Sequence, residues 1–436
     1  MNNILAIFKT NSFYILFDKI VKIGSGLVAV SIIARGLGVD NFGELNSLLA
    51  IAALFIPLAS LGMNKLIIKE ISGIEQSQSK AELLSTAVFF RLFFGLVLSL
   101  ITYFYFNNLA FSFFIFCQAF LAFQLCELSL QYQEHFKLIC KFRALITLVF
   151  AFLKCLVVLK YPQISMVLYL FSFEVLTVEL MILAVFFKKS DFGLTFHLNL
   201  KQGFRLLRKS FLLMLSAFLS VIYLKMDVVM LEKLHSTYEA GIYSAASRVS
   251  EAWIFIPTVI LARYFPVLLK IKLQNSVLFN KTLQFLMDKT LLLGLCVVVT
   301  VNLFAELIIT VIYGESYINS ILILQLHIIA TVFIALRILV SQWLIIHEQF
   351  MLSVYSHLLG AVTNLILNFW LIPSHGALGA TVATIFAYLT ASYLVLFLST
   401  KSTELMYSIS LSLAFVFRLR TFLSLNKPWL SNNIKL

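Results

Sequence analysis

The sequence contains little charge. Acidic and basic residues make up 12% of it, against roughly 25% in a soluble globular chain. Hydrophobic residues make up 61%, and the mean hydropathy is +0.98. A chain of 436 residues with so few polar groups cannot cover a surface that faces water. These values exclude a soluble enzyme or binding domain and indicate an integral membrane protein that consists mostly of transmembrane helices.

Motifs for metal binding and catalysis are also absent. The five cysteines are scattered through apolar runs, with no CxxC pair and no Cys/His spacing typical of a metal site. There is no P-loop, nucleophile elbow or HExxH motif. We therefore expect no metal, no cofactor and no enzymatic activity, and we interpret the cysteines as small apolar residues of helices.

Long apolar runs fill most of the chain. A membrane span needs about 20 mostly apolar residues, and the first run lacks the cleavage site of a signal peptide, so we expect it to be retained. The run at 406–417 is too short to span and is predicted to lie in the interface. Reading the runs between charged, Gly, Pro or Asn breaks predicts about twelve spans, at 12–33, 43–64, 83–105, 109–130, 144–160, 164–187, 210–231, 241–265, 290–312, 320–346, 353–372 and 377–399.

Basic residues are distributed unevenly among the predicted loops. The loops on one side are rich in Lys and Arg, whereas the opposite loops hold only Arg35, Lys160 and Lys233. The positive-inside rule then predicts a membrane protein with both termini in the cytoplasm. The net charge of +13 is explained by contact with the cytoplasmic lipid surface, so membrane lipids are expected partners and nucleic acid is not.

The longest basic loop, 188–209, divides the chain into two parts of about six spans. A weak repeat supports this division, because Gly43 with Phe55-Ile56-Pro57 matches Gly241 with Phe255-Ile256-Pro257 in order. We predict an all-α integral membrane protein with two six-helix lobes around a central cavity. The expected divisions are an N-terminal lobe at 1–200, a C-terminal lobe at 201–400 and a basic cytoplasmic tail at 401–436.

Charged residues inside the predicted spans indicate a hydrated interior, because a charge near the bilayer centre costs at least about 2.5–3.5 kcal/mol. Some of them could simply pair, as Asp18 with Lys22 or Arg248 with Glu251, and Lys154 could satisfy Glu174 on the next span. Arg91 and Lys225 could snorkel to the interface. The full set is Asp18, Lys19, Lys22, Arg91, Lys154, Glu174, Glu179, Lys225, Asp227, Arg248, Glu251 and Arg337.

Several ordered segments resemble the polysaccharide-unit (Wzx-type O-antigen) flippases of the multidrug/oligosaccharidyl-lipid/polysaccharide exporter superfamily. The likeness covers residues 30–385 and departs from the family at Asn64, where an acidic residue is common, and near Leu212, where a proline is missing. The segments are Ala34-Arg35-Gly36-Leu37-Gly38 with Phe42-Gly43, Leu61-Gly62 with Lys69-Glu70, Lys225-Met226-Asp227, Ala240-Gly241-Ile242-Tyr243 with Ile256-Pro257, and Asn364, Asn368, Pro373, Gly376 and Gly379-Ala380.

The resemblance implies a V-shaped transporter that moves an undecaprenyl-diphosphate-linked oligosaccharide to the periplasmic leaflet for O-antigen or other surface polysaccharide. On this interpretation Lys19, Lys22, Lys154, Lys225, Arg248 and Arg337 offset the charge of the cargo. The acids Asp18, Glu174, Asp227 and Glu251 are the candidates to carry a coupling H⁺ or Na⁺.

Three other functions remain open from the sequence. Two are transporters of the same superfamily, namely a cation-coupled drug exporter, which should have an acidic and aromatic cavity, and a peptidoglycan-precursor flippase, which usually has two further spans. The third is a membrane polysaccharide polymerase or ligase, which generally needs a long outward loop that this chain lacks.

Overall fold

The described part of the chain is almost entirely helical. The computed structural model describes residues 2–132 and 136–414, and these form fourteen α-helices and no strands. The first seven are α1 (Asn2–Ser60), α2 (Asn64–Ser72), α3 (Ser77–Phe106), α4 (Leu109–Ala119), α5 (Gln124–Tyr132), α6 (Phe136–Lys160) and α7 (Ile164–Lys189). The next seven are α8 (Leu200–Leu234), α9 (Thr237–Glu251), α10 (Phe255–Gln274), α11 (Ser276–Ile312), α12 (Ser320–Ile346), α13 (Phe350–Ser392) and α14 (Thr403–Leu413).

These helices make the chain a multi-pass membrane protein. Within the described residues, 9 helices are long and apolar enough to cross a membrane. Two of them bend at a glycine, Gly38 in α1 and Gly376 in α13, and each bend turns one long helix into two segments. The two bends add two segments to the 9 helices, and α9 and α10 together form one more crossing. The helices are therefore consistent with the twelve predicted spans. A bend of this kind requires glycine, because the φ angles of +77° at Gly38 and +52° at Gly376 are strained for other residues.

Some predicted span limits were wrong. The fifth span, predicted from 144, begins at Phe136, because its first turns place Arg143 against acidic partners inside the protein. The eighth is interrupted by a short 3₁₀ turn at Ala252–Ile254. This turn precedes Pro257, which has no N–H to donate and would clash with the preceding helical turn. Helix α14 ends at Leu413, and the last residues of the predicted run 406–417 lie outside the described part.

The apolar core is shared at one end of the molecule and divided at the other. One cluster of buried residues joins both halves of the chain around the two glycine bends, from Ile33 to Ala52 and from Val228 to Ala246 among others. We call this the bend end. Away from it, a second cluster is built mainly from α2, α3 and α5 with the end of α7, and a third from α10 to α14. The two halves therefore meet in one core at the bend end and separate into two cores beyond it.

Polar contacts also hold the halves together at the bend end. Arg35 donates its Nε to the carbonyl of Ile312, 3.1 Å away, and its Nη2 to the carbonyl of Thr310. Tyr317 donates its hydroxyl to the carbonyl of Ala34 at 2.9 Å, and Thr237 donates to Asp40 at 2.8 Å. At the opposite end α8 leans on the first half, where Lys209 pairs with Glu70 at 2.6 Å. The division at residue 200 stays a prediction.

Candidate functional site

A cavity of about 390 Å³ lies within the first half, between α1, α4, α5, α6 and α7. Its lining contains charges of both signs, with three basic and three acidic side chains among apolar ones. We call it the charged cavity. Its charged lining residues are Lys22, Glu127, Arg143, Lys154, Glu174 and Glu179.

Helical spacing brings these residues to one place. On α6, Arg143, Thr147, Ala151 and Lys154 follow one another at intervals of four, four and three residues, so they share one helix face. The same 3.6-residue period aligns Lys22 with the small residues of α1 that line the cavity. The faces of α6 and α7 that carry charge therefore point at each other, and their apolar faces are left for lipid.

Arg143 joins two acidic side chains from different helices. Its Nη2 pairs with Glu127 on α5, and its Nη1 lies 3.5 Å from Asp18 on α1. Both carboxylates are largely buried, with Asp18 8% and Glu127 7% exposed. A buried charge of this kind is stable only when it is paired. Asp18 therefore pairs with Arg143 and not, as expected, with Lys22.

Lys154 and Glu174 form an ion pair between α6 and α7, as the sequence suggested. The ammonium of Lys154 also lies 3.7 Å from the centre of the Phe171 ring, a cation–π contact. Lys154 is 5% exposed, and both partners line the charged cavity. The pair therefore forms a polar part of the cavity wall, and an anion with more negative charge than Glu174 could compete for Lys154.

Lys22 differs from the other two cavity cations in its surroundings. It is exposed, and no carboxylate within the described ranges forms an ion pair with it. Lys19, one helical turn away, is exposed but does not line the cavity. An anionic ligand in the charged cavity could therefore bind Lys22 directly. To bind Lys154 or Arg143, it would have to displace the carboxylate partner of that residue.

A buried glutamate lines the cavity, and a buried arginine lies outside it on α3. Glu179 is 3% exposed, and its Oε2 has no hydrogen-bond partner in the part of the chain that the structure describes. Arg91 is 2% exposed and donates its Nη1 to Oδ1 of Asn64 at 2.9 Å. The asparagine at this departure from the family pattern is therefore the polar partner of a buried arginine.

In the second half, Lys225 pairs with Glu251 at 3.0 Å. The expected pairing of Arg248 with Glu251 was wrong. Arg248 instead donates its Nε to Oδ1 of Asn46 on α1, 2.9 Å away, because α9 packs directly against α1 at this level. Arg248 therefore links the two halves of the chain.

Asp227 lies in a closed polar cage. It is 1% exposed and accepts hydrogen bonds from four neutral donors on two other helices, α9 and α13. These are Asn364 at 2.7 Å and Asn368 at 2.6 Å on α13 before its bend, Thr384 at 2.8 Å after the bend, and Tyr243 at 2.8 Å on α9. No basic side chain among the described residues forms an ion pair with Asp227, and Oδ1 of Asn368 has no partner there.

Arg337 is buried elsewhere in the second half. It is 4% exposed and donates its Nη2 to Nε2 of His357 at 3.2 Å, with Ser353 at 3.5 Å. His357 is in turn 3.1 Å from the hydroxyl of Tyr223. The Nε and Nη1 of Arg337 have no partner among the described residues.

The predicted site residues therefore fall into separate groups. Lys22, Lys154 and Glu174 line the charged cavity with Asp18 just behind it, whereas Lys225, Asp227, Arg248, Glu251 and Arg337 lie in the second half. The sequence analysis does not single out Glu127, which lies in the fourth predicted span, or Arg143, which lies one residue before the fifth. The spacing of Arg143 and Lys154 on one helix face was the signal that could have found it. The contacts of Tyr243 and Thr384 with Asp227 had no sequence signal, since they join distant segments of the chain.

A family model described as "Polysaccharide biosynthesis protein" matches residues 8–272. No curated protein sequence matches the chain significantly. Among solved structures, the lipid II flippase MurJ in an inward closed conformation aligns with a TM-score of 0.72 at 16% identity, over 94% of this chain and 92% of that one.

Two states of a multidrug resistance MATE family transporter of the MOP superfamily align as well. The inward-facing one has a TM-score of 0.65 at 13% identity, over 92% of this chain and 96% of that one. The outward-facing one has a TM-score of 0.58 at 12% identity, over 94% and 95%. At these identities the likeness establishes the fold.

Proposed function

The chain belongs to the family of polysaccharide biosynthesis proteins, and from this membership we propose that it is a flippase for a lipid-linked oligosaccharide. The cargo is an undecaprenyl-diphosphate-linked repeat unit for O-antigen or another surface polysaccharide. It crosses the bacterial inner membrane from the cytoplasmic to the periplasmic leaflet. The termini of the flippase lie in the cytoplasm, and the bend end faces the periplasm.

The charged cavity is the observation that carries this proposal. A diphosphate that leaves water must exchange hydration for fixed positive charge. Lys22 offers that charge without breaking an existing ion pair, and Lys154 offers it by exchange of Glu174 for the diphosphate. The polar sugars can use the carboxylates that remain as hydrogen-bond acceptors. A drug exporter for cations is expected to have an acidic and aromatic cavity, whereas this cavity has as many basic as acidic lining residues.

The packing of the two halves supports a cytoplasm-facing state. With the bend end on the periplasmic side, the shared core and the Arg35 contacts close the outward path. Helix α10 packs mainly on α11 and α12, which belong to its own half of the chain. The two halves are therefore separate at the level of α10, away from the bend end. Release of cargo to the periplasm then requires the contacts at the bend end to open, which follows alternating access.

The cage around Asp227 is the best candidate for the coupling ion, H⁺ or Na⁺. The carboxylate of Asp227 is surrounded by neutral amide and hydroxyl groups and has no basic partner among the described residues, so a bound H⁺ or Na⁺ would supply the positive charge that it lacks there. The cage joins α8, α9 and both segments of α13, so a change of its charge acts on helices that pack against the first half. The other proposed acids, Asp18, Glu174 and Glu251, already have basic partners.

The second-half cations remain proposed cargo contacts at a later stage. Lys225 keeps a 41% exposed side chain and Arg248 lies beside α1, so both can face the space between the halves. Arg337 would need a rearrangement, because it is buried among α8, α12 and α13.

Transport in proteoliposomes tests the proposal. Purified protein is reconstituted with undecaprenyl-diphosphate-linked oligosaccharide, and its crossing is followed with an impermeant lectin. We expect crossing with the wild-type chain and with Lys281→Gln, an exposed lysine far from the cavity, and a loss of fivefold or more with Lys22→Gln. Absence of crossing by correctly folded wild-type protein, with either ion gradient imposed, would contradict the proposal.

A second candidate is a flippase for a peptidoglycan precursor, favoured by the fold shared with MurJ. The same vesicles decide between the two cargoes when lipid II replaces the oligosaccharide. Crossing of lipid II alone would support the second candidate, and crossing of the oligosaccharide alone would support the first.

A further inference from the structure

A second pocket, of about 320 Å³, lies between α10 and α11. It shares no lining residue with the charged cavity. Its walls are one face of each helix, with Pro257, Ile260 and Tyr264 on α10 opposite Leu286, Lys289 and Leu293 on α11. We call it the α10–α11 pocket. It has room for roughly ten groups the size of a water molecule, which is enough for part of one acyl chain.

Among the described residues that line the pocket, Lys289 is the one with a charged side chain. The ammonium of Lys289 lies 4.4 Å from the centre of the Phe285 ring, and no carboxylate of the described residues forms an ion pair with it. The adjacent Asp288 is occupied elsewhere, because it accepts hydrogen bonds from Gln284 at 2.8 Å and from Ser412 at 2.6 Å. Lys289 itself is exposed, so its charge is available to a ligand.

The depth of Lys289 matches the level of lipid head groups. Helix α11 has 37 residues, a length of about 55 Å, whereas the hydrocarbon core needs only about 20 residues. The apolar part of α11 begins at residue 290, which leaves Lys289 at the boundary between hydrocarbon and head groups. Pro257 and Leu293 lie deeper, because α10 and α11 run in opposite directions and these two residues form the inner end of the pocket.

The surroundings of the pocket are suited to lipid. Ile260 is 42% exposed, and on α11 the neighbouring Leu292 and Leu295 are 36% and 37% exposed. These are apolar side chains that a membrane protein presents to acyl chains. A cation at the head-group level with an apolar slot beneath it matches the order of groups in a phospholipid.

We propose that the α10–α11 pocket binds an anionic phospholipid of the adjacent leaflet, with its phosphate on Lys289 and one acyl chain in the slot. A single lysine fits a single phosphate with one net negative charge, as in phosphatidylglycerol. The diphosphate cargo has its own cations in the charged cavity, so this pocket does not depend on the proposed transport function. A lipid in the slot fills space between α10 and α11 and stabilises the position of α10.

Lipid binding to the purified full-length chain tests the proposal. The dissociation constant for phosphatidylglycerol is measured by native mass spectrometry, with phosphatidylethanolamine in a parallel series. We expect wild type and Lys281→Gln, the matched lysine on the same helix, to bind phosphatidylglycerol alike. Lys289→Gln should bind about fivefold more weakly, the effect of one lysine at an anionic surface. Leu293→Phe, which fills the slot and keeps the charge, should also weaken binding.

A photoreactive acyl chain on phosphatidylglycerol locates the site. We expect crosslinks in the α10 and α11 peptides, and their loss in Leu293→Phe. Equal affinity of Lys289→Gln and Lys281→Gln, or equal binding of phosphatidylethanolamine, would overturn the proposal. Displacement by undecaprenyl phosphate would also overturn it, because the pocket would then bind the tail of the cargo.

Discussion

Gly43 on α1 and Gly241 on α9 are in contact across the two halves of the chain. A Cβ atom on Gly43 would lie 2.7 Å from the backbone nitrogen of Gly241 and would overlap the carbonyl of Thr237. A Cβ on Gly241 would overlap the carbonyl of Val39. These are the two glycines that occupy matching positions in the weak sequence repeat. The repeat therefore marks a place where the backbones of the two halves touch.

We expect Gly43→Ala to destabilise the bend end. The added methyl has no room against backbone atoms, and overpacking of this kind typically costs about 1–3 kcal/mol. Gly24→Ala on the same helix is the matched control, because no atom lies within 4 Å of its Cβ position. Thermal unfolding in one detergent compares the two. The interpretation fails if Gly43→Ala unfolds at the same temperature as Gly24→Ala.

A double-mutant cycle shows whether the Lys154–Glu174 ion pair only stabilises the fold or also binds cargo. Glu174→Ala leaves the buried charge of Lys154 without a partner, at a cost of about 3–5 kcal/mol. Lys154→Ala leaves the half-buried Glu174 unpaired at a smaller cost, whereas the double change removes both charges. We expect the double variant to be stable yet to bind lipid-linked diphosphate more than tenfold more weakly, since a hydrogen bond to a charged group contributes about 1.5–3 kcal/mol. Affinity and melting temperature are measured on the same samples.

Lys154→Arg serves as the control for charge and should retain part of the affinity. If the double Lys154→Ala and Glu174→Ala variant binds cargo as well as wild type, the ion pair has only a structural role.

Arg248 gives a similar test with a neutral partner. We expect Arg248→Lys to keep part of the transport rate and Arg248→Ala to lose most of it, since the cargo needs the charge. Asn46→Ala removes the hydrogen-bond acceptor but leaves the cation in place. Vesicle transport rates and protein levels are compared for the three variants. An equal loss in Asn46→Ala and Arg248→Ala would mean that Arg248 only holds α9 to α1.

The sequence predicted the helical membrane fold and the order of its spans, because apolar length and basic loops are local signals. It also predicted the Lys154–Glu174 pair, since adjacent spans bring matching depths together. The two acidic partners of Arg143 could not be predicted from the sequence, for a physical reason. Which helices become neighbours depends on packing among distant segments, so Asp18, Glu127 and Arg143 could not be joined from local spacing. The same limit applies to the four donors around Asp227.

The cage of Asp227 leads to the prediction on coupling. If Asp227 carries the coupling ion, transport should depend on a gradient of that ion, and Asp227→Asn should lose this dependence while the cavity in the first half still binds cargo. The substitution keeps the size of the side chain and removes the charge, but it replaces one accepting oxygen with an NH2 donor, so the melting temperature is measured alongside transport. Vesicles with an imposed Na⁺ gradient or an imposed pH gradient distinguish the two ions.

The matched control is Asp288→Asn, a second buried aspartate of the same half, which accepts hydrogen bonds from Gln284 and Ser412. We expect Asp288→Asn to keep the ion dependence of wild type. Thr384→Val, which removes one cage oxygen at nearly constant volume, should raise the Na⁺ concentration for half-maximal transport if Na⁺ is the ion, and leave the response to pH unchanged. Full ion dependence in a well-folded Asp227→Asn protein would assign coupling to another acid, and Glu251 would be tested next because it pairs with the exposed Lys225.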